Sequence, residues 1–319
     1  MSRAVVTVAI PVLDGGELFR RSLDSIARQR VNAEVELLVA DSGSADGSLD
    51  AAREHGAHVI EIERSSFGHG RTRNTLLAQA RGTHVALLTQ DAEPASEHWL
   101  AMLLSAFELS PDVALAYGPY LPRPDASPLV RSELARWFGS LTPGSERLEP
   151  AERDCPPAAL MGRRGFFSDA NGCIARAAWE RVPFREIPYA EDRCLALDML
   201  RAGFAKVYEP RAGVLHSHEY GPRERFQRAF DESRGLLDVY GWREPTDPRH
   251  LASQIRGELG ALRREGGGAA TLITAAGEEA VRLAGAVVGS RSARLPAWLQ
   301  RACSLEGRAD RPIITDPRR

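Results

Sequence analysis

Apolar and polar positions along the first third of the chain fall into alternating short blocks of two kinds. Val5-Val6-Thr7-Val8-Ala9-Ile10 is an unbroken β-prone run stopped by Pro11, as expected of a strand buried on both faces. Glu17 to Arg28 follows, with Phe19, Leu23 and Ile26 at helical spacing. Val35 to Ala40 predicts a second buried strand, Ser48 to His55 a helix ended by Gly56, and Val59 to Ile62 a third strand. Arg71 to Arg81 predicts a helix closed by Gly82, His84 to Leu88 a fourth strand, Trp99 to Phe107 an amphipathic helix and Val113 to Tyr117 a further strand. Strands separated by helices of this length imply βαβ units, a mostly parallel sheet and right-handed crossovers. Ligands of such sheets bind beyond the carboxyl ends of the strands, where Asp14, Asp41, residues 67–74 and Thr89-Gln90-Asp91 fall.

The pattern changes after Pro119. Residues 119–157 are rich in proline and charge and read as a long loop or partly helical excursion. Structure resumes from Phe166 to His218, with a helix from Arg193 to Ala202 ended by Gly203 and a strand at Ala205 to Tyr208. From Pro222 the pattern is helical, Leu251, Ile255, Leu259 and Leu262 lining one face.

Composition narrows the function without naming it. The 319 residues fit one α/β core with a helical extension, and 43% hydrophobic with 26% charged residues is ordinary for a globular protein. A net charge of −2 argues against general nucleic-acid binding. Lys206 is the only lysine, so nearly all the positive charge is arginine. Cys155, Cys173, Cys194 and Cys303 form no C-x-x-C pair, which disfavours a zinc site and a disulfide framework. No signal-peptide pattern precedes Val5, and the apolar stretch from Ala269 to Val288 is interrupted by Glu278, Glu279 and Arg282; the expected location is cytoplasmic.

Five segments carry candidate chemistry. Asp41 ends a buried strand before small polar residues and could reach the ribose or base of a nucleotide; a plain Asx turn is the alternative, with Ser48 capping the next helix. In Phe67-Gly68-His69-Gly70-Arg71-Thr72-Arg73-Asn74, two glycines at a helix start and two arginines suit a phosphate, against an ordinary loop with solvated arginines. The dinucleotide fingerprint fails there, because its third glycine would fall on Arg73. Asp91 of Thr89-Gln90-Asp91-Ala92 offers a carboxylate to a hard cation, or merely opens a turn before Pro94. Glu191-Asp192 opens a helix, where an acid either caps the helix or serves as a general base. His216 and His218, alternating on a strand, would face one site and help complete a metal cage.

In this order, across roughly residues 5–240, the elements resemble the family-2 glycosyltransferases, inverting enzymes with the GT-A fold. The resemblance implies that Pro11 begins the nucleotide pocket, together with Asp14 and Gln90, and that Asp41 contacts the nucleoside. It implies roles for Arg71, Arg73 and Asn74 at the donor, for Asp91 as the last acid of a D-x-D metal motif, and for Asp192, with Glu191, as the catalytic base. Thr89 replaces the first acid of D-x-D, so a divalent cation, Mg²⁺ or Mn²⁺, would lean on Asp91, the diphosphate and His216 or His218. Thr-Gln-Asp-Ala, the glycine-arginine segment and the His-Ser-His segment are similar to the rhamnosyltransferase-type branch, which implies dTDP-rhamnose as donor and a glycan or lipid-linked acceptor. On this reading residues 1–240 form the GT-A domain, with 1–118 holding the nucleotide and 119–240 the acceptor, and 241–319 a helical C-terminal extension.

Two rivals remain. A sugar nucleotidyltransferase would carry basic residues directly after the first strand, and Pro11-Val12-Leu13-Asp14-Gly15-Gly16 has none. A non-catalytic nucleotide-sugar-binding subunit would have no need of both Asp91 and Glu191-Asp192. At the C-terminus, Arg291, Arg294, Leu295, Trp298, Leu299 and Arg301 suit either a helix packed on the catalytic domain or a peripheral membrane contact.

Overall fold

The computed structural model describes residues 4–141 and 148–307. Among the described residues eleven strands form two sheets: β1 (Val5–Val12), β2 (Glu34–Asp41), β3 (His58–Glu61), β4 (His84–Leu88), β5 (Glu93–Pro94), β6 (Val113–Tyr117), β7 (Tyr120–Leu121), β8 (Leu148–Glu149), β9 (Asn171–Ala175), β10 (Ala205–Tyr208) and β11 (Val214–Leu215). The large sheet runs β3-β2-β1-β4-β9-β6-β10-β8, and the small one β5-β11-β7. β1, β2, β3 and β4 are mutually parallel, as are β6 and β10; β9 runs antiparallel to both its neighbours, and β8 to β10.

Both faces of this sheet are covered, which is why the strand sequences are apolar throughout rather than alternating. Val6, Val8, Ile10 and Val12 of β1 pack beneath Phe19, Leu23 and Ile26 of the helix Gly16–Ala27 and beside Trp99, Leu100 and Leu103. Ala9, Leu38 and Leu87 face the other way, onto Leu76 and Leu77 of the helix His69–Gln79 and Leu195 and Met199 of the helix Glu191–Ala202.

Several expectations need correction. Pro11 does not stop β1, which continues to Val12 with Pro11 opposite Ala40. Ser48 is not the cap of its helix; Gly47 holds that position at φ 88°, and the Ser48 hydroxyl accepts from Gly15 N. The excursion 119–157 is partly helical, the second of its two readings: it contains the helix Pro128–Ser140, capped by Ser127 accepting from Val130 N. Pro128 stands at the first helical position, where a helix tolerates proline best. β9 is not legible in the sequence because it opens on Asn171-Gly172, a pair that strands disfavour and turns favour.

Beyond β11 the chain is helical. The helix Pro222–Tyr240 packs closely on Ala269–Gly289, where a Cβ on Gly285 would meet the Phe226 carbonyl oxygen at 2.3 Å and one on Gly289 the Phe230 carbonyl oxygen at 2.2 Å. Those two glycines, one turn apart, let the helix backbones approach. Among the described residues no helix is long and apolar enough to cross a membrane. Residues 290–307 of the C-terminal stretch are described, with Trp298 65% exposed; residues 308–319 lie outside the described part.

Candidate active site

Strand register assembles the first half of the site. β4 delivers Thr89, Gln90 and Asp91 to its carboxyl edge, and β5 follows at once. Because β11 pairs antiparallel with β5, Leu215 opposite Glu93, the chain leaving β11 runs back past Asp91. His216 Nδ1 lies 3.4 Å and His218 Nε2 3.3 Å from the same oxygen, Asp91 Oδ2. The two histidines are not on the strand, as alternation required, but just beyond its end; the pairing of β11 with β5, not strand alternation, brings both to Asp91.

One ligand atom from each of these three side chains lies within 4.8 Å of the others, and His216 Nδ1 and Thr89 Oγ1 are buried without a hydrogen-bond partner. Buried orphaned groups of this kind call for a partner. One carboxylate and two imidazoles are a donor set that fits a divalent metal ion. Burial alone would raise the Asp91 carboxyl, but the adjoining His216 and His218 outweigh it and hold it well below the usual carboxylate range. Burial, and then the charge of His216, lowers His218 to about 4, so its imidazole lone pair is free near neutrality. Arg123 braces both arms, donating from Nη2 to the Asp91 carbonyl at 2.5 Å and from its backbone N to Ser217 Oγ at 3.1 Å.

The second half is a buried charge cluster. Arg73 grips Asp169 with two nitrogens, at 2.6 and 2.9 Å, and reaches Glu191 Oε1 at 3.2 Å. All three side chains are at least nine-tenths buried. Asp192 is next in the chain, its carboxylate accepting from Arg193 N at 2.7 Å. Burial, and then the Glu191 charge, pushes Asp192 up to about 6, and Asp169 is driven well above its ordinary value by burial despite Arg73. A carboxylate of that basicity is suited to accept a proton from a hydroxyl near neutral pH.

Neither acid of Glu191-Asp192 is the helix cap. That position is Ala190, buried and in the left-handed region at φ 64°, ψ 31°, with no side-chain cap. Such a conformation costs a non-glycine residue about 1–2 kcal/mol. Packing maintains it: a Cβ on Gly235 of the helix Pro222–Tyr240 would sit 2.8 Å from the Ala190 Cβ, so that helix presses directly on the turn. Here the backbone is strained where the two acids are presented.

Both halves line one cavity of about 540 Å³. Besides Asp91, His216, His218, Arg73, Asp169, Glu191 and Asp192, it is walled by His69, Trp137, Arg193, Arg228 and Glu306. His69 Nε2 lies 2.9 Å from Glu306, and Asp231 accepts from Leu305 N and Ser304 Oγ at 2.8 and 3.0 Å, so the chain after the last helix closes one side.

The remaining predicted residues make the following contacts. Asp41 accepts from Gly43 N, Ser44 N and Ser44 Oγ, the Asx-type turn. Asp14 Oδ1 accepts from Ala45 N, and Gln90 exchanges two hydrogen bonds with the Leu13 backbone, so Asp14 and Gln90 tie together the segments that follow β1, β2 and β4; Pro11 lies opposite Ala40 within the β1–β2 pairing. The Asn74 amide accepts from Trp179 Nε1 and Phe184 N and donates to Phe184 O, fastening residues 179–184. Arg71 is exposed and pairs with Glu186 at 2.6 Å. Gly70 serves packing, since a Cβ there would meet the Arg185 carbonyl oxygen at 2.3 Å.

Asp169, His69, Arg193 and Glu306 went unpredicted. β9 runs backwards beside β4, Asn171 opposite Leu88, so Asp169, two residues before its amino end, arrives at the carboxyl edge where Asp91 emerges. Nothing local in Phe166-Phe167-Ser168-Asp169 signals that reversal.

Comparison with known proteins agrees with this geometry. Residues 7–170 match the family described as Glycosyl transferase family 2. The O-antigen chain rhamnosyltransferase RfbN of Salmonella typhimurium is 33% identical over 231 residues, 71% of this chain and 70% of that protein. The N-acetylglucosaminyl-diphospho-decaprenol L-rhamnosyltransferase of Mycobacterium tuberculosis is 28% identical, covering 68% of this chain and 76% of that one. Among solved structures, the mannosyltransferase PcManGT from Pyrobaculum calidifontis, in complex with GDP-Man and Mn²⁺, superposes with a TM-score of 0.58 at 19% identity, over 91% of this chain and 88% of that chain. The S. aureus TarS structure gives 0.51 at 15% identity, over 92% of this chain and 55% of that chain. The sheet order, the family match and the extent of these relatives together place the chain in glycosyl transferase family 2, as a rhamnosyltransferase-like glycosyltransferase of the GT-A fold.

Proposed function

We propose that this glycosyltransferase moves rhamnose from dTDP-rhamnose, with inversion at the anomeric carbon, onto a hydroxyl of a glycan or lipid-linked acceptor. The observation that carries the reading is one cavity holding both the Asp91–His216–His218 cluster and the raised carboxyl of Asp192. The names of the Salmonella and mycobacterial relatives support rhamnose. Pro11, Asp14, Asp41 and Gln90 would shape the nucleotide cleft through residues 1–118, and residues 119–240 would take the acceptor.

Asp192 accepts the acceptor's proton as its oxygen attacks, and Arg73 with Glu191 holds the strained turn that presents it. Asp91, His216 and His218 would hold a divalent cation, which when bound supplies positive charge opposite a departing diphosphate. Displacement on the face opposite the leaving group inverts the configuration. Exposed Trp298, with Arg294 and Arg301 nearby in sequence, supports a peripheral membrane contact that liposome flotation of full-length and C-terminally truncated protein would test.

The deciding experiment is nucleotide release across a panel of nucleotide sugars, with EDTA and with Mg²⁺ or Mn²⁺ restored. dTDP-rhamnose should turn over fastest, EDTA should stop it, and Mn²⁺ should restore it. Release that favours another sugar, or that ignores EDTA, overturns the corresponding part of the proposal.

A further inference from the structure

Beyond Asp192 the cavity runs along the helix Pro128–Ser140, which contributes Glu133, Leu134 and Trp137. Glu133 and Trp137 are four residues apart and share one face of that helix. Trp137 is 36% exposed, while most large apolar side chains of the fold are covered. Its ring is braced edge-on by Phe166, with centroids 5.1 Å apart and planes at 78°. Phe166 in turn carries the Arg193 guanidinium 4.9 Å above its ring, and Arg193 adjoins Asp192. In the other direction the aromatic wall continues from Phe166 to Phe138, Tyr120 and His216. Trp137 therefore lies at one end of an aromatic wall whose other end is His216 of the metal-ligand cluster, with Arg193, the chain neighbour of Asp192, resting on Phe166 along it.

Around this open ring the rim is charged. Glu133 pairs with Arg225 at 3.1 Å, Glu232 with Arg193 at 3.3 Å, and Arg228 rests over Tyr189 with its guanidinium 5.0 Å from the ring. A flat apolar ring bordered by carboxylates and guanidinium groups complements a pyranose. The C–H face of the sugar meets the electron-rich indole face, and its hydroxyls reach the charged rim. A hydrocarbon chain would take those ion pairs out of water and offer them no hydrogen bonds in return.

Building on the proposed transfer, we infer that Trp137, assisted by Glu133, is the platform for the sugar unit bearing the attacking hydroxyl, so the acceptor ends in a saccharide rather than in a bare lipid phosphate. The step itself is unchanged: the acceptor oxygen bonds to the anomeric carbon, the bond to the nucleotide diphosphate breaks, and the hydroxyl proton passes to Asp192.

The test compares wild type, Trp137→Ala and Trp137→Phe, using nucleotide release from dTDP-rhamnose with p-nitrophenyl glycosides or farnesyl phosphate as acceptor probes. Trp137→Ala should raise the glycoside KM by roughly tenfold or more, with donor KM and acceptor-independent release within about twofold of wild type. Trp137→Phe should recover most of the loss. Unchanged acceptor-independent release also certifies that the variants are folded. A wild-type glycoside KM in Trp137→Ala, a raised donor KM instead, or stimulation by farnesyl phosphate and by no glycoside would each overturn the inference while leaving the transfer reading standing. Absence of nucleotide release from every donor would remove both.

Discussion

Replacing Arg73 by methionine isolates the charge cluster that holds the candidate base. The side chain is 3% exposed and bonded to Asp169 and Glu191, themselves 7% and 8% exposed. Methionine fills much of the volume but leaves two carboxylates facing each other with no cation. Breaking a buried ion pair by removing one partner costs about 3–5 kcal/mol. With a urea m-value of about 3 kcal/mol/M, the midpoint should fall by roughly 1–1.5 M. The same change removes the positive charge that lowers Asp192, so the acid limb of the turnover profile should move above its starting point near pH 6. The assay is urea unfolding monitored by tryptophan fluorescence, with turnover measured between pH 5 and 8 (roughly the range where such groups titrate). Adding Asp169→Asn should recover part of both losses, because one of the unpaired charges is gone. An unchanged midpoint together with an unchanged acid limb in Arg73→Met would refute the reasoning.

Other consequences are as direct. Asp192→Asn should reduce transfer by roughly 10²–10⁴-fold while leaving nucleotide affinity intact, and full activity in that variant would remove Asp192 as the base. Because the folded carboxyl of Asp192 is raised above its unfolded value, its contribution to stability is present at low pH and lost as pH rises through about 6, so unfolding midpoints should decline across that interval in wild type and less in Asp192→Asn. His216→Ala should raise the Mn²⁺ concentration needed for half-maximal turnover by roughly tenfold or more; an unaltered requirement would exclude it as a ligand. Gly289→Val should destabilise by about 1–3 kcal/mol, since the new Cβ would meet the Phe230 carbonyl oxygen at 2.2 Å, and thermal unfolding would register it.

Much of the framework was legible along the chain because strand and helix periods are local properties of side-chain spacing. β1, β2, β4 and β6 follow from unbroken apolar runs, and their parallel order follows from the helices between them. That alone carries Asp91 to the carboxyl edge of the sheet, and the apolar pattern after Glu191-Asp192 places those acids at a helix start. What local spacing does not encode is direction and register between distant segments. Asp169 reaches the site only because β9 runs against β4, and the two histidines reach Asp91 only because β11 pairs with β5. Hydrogen bonding is equally non-local: nothing in the sequence shows that the Asn74 amide bonds to Trp179 and Phe184, or the Gln90 amide to the Leu13 backbone. The sequence by itself determined which acids stand at the ends of elements. Tertiary structure decided which of them share a cavity, through pairings set by burial and strand direction rather than by neighbours in the chain.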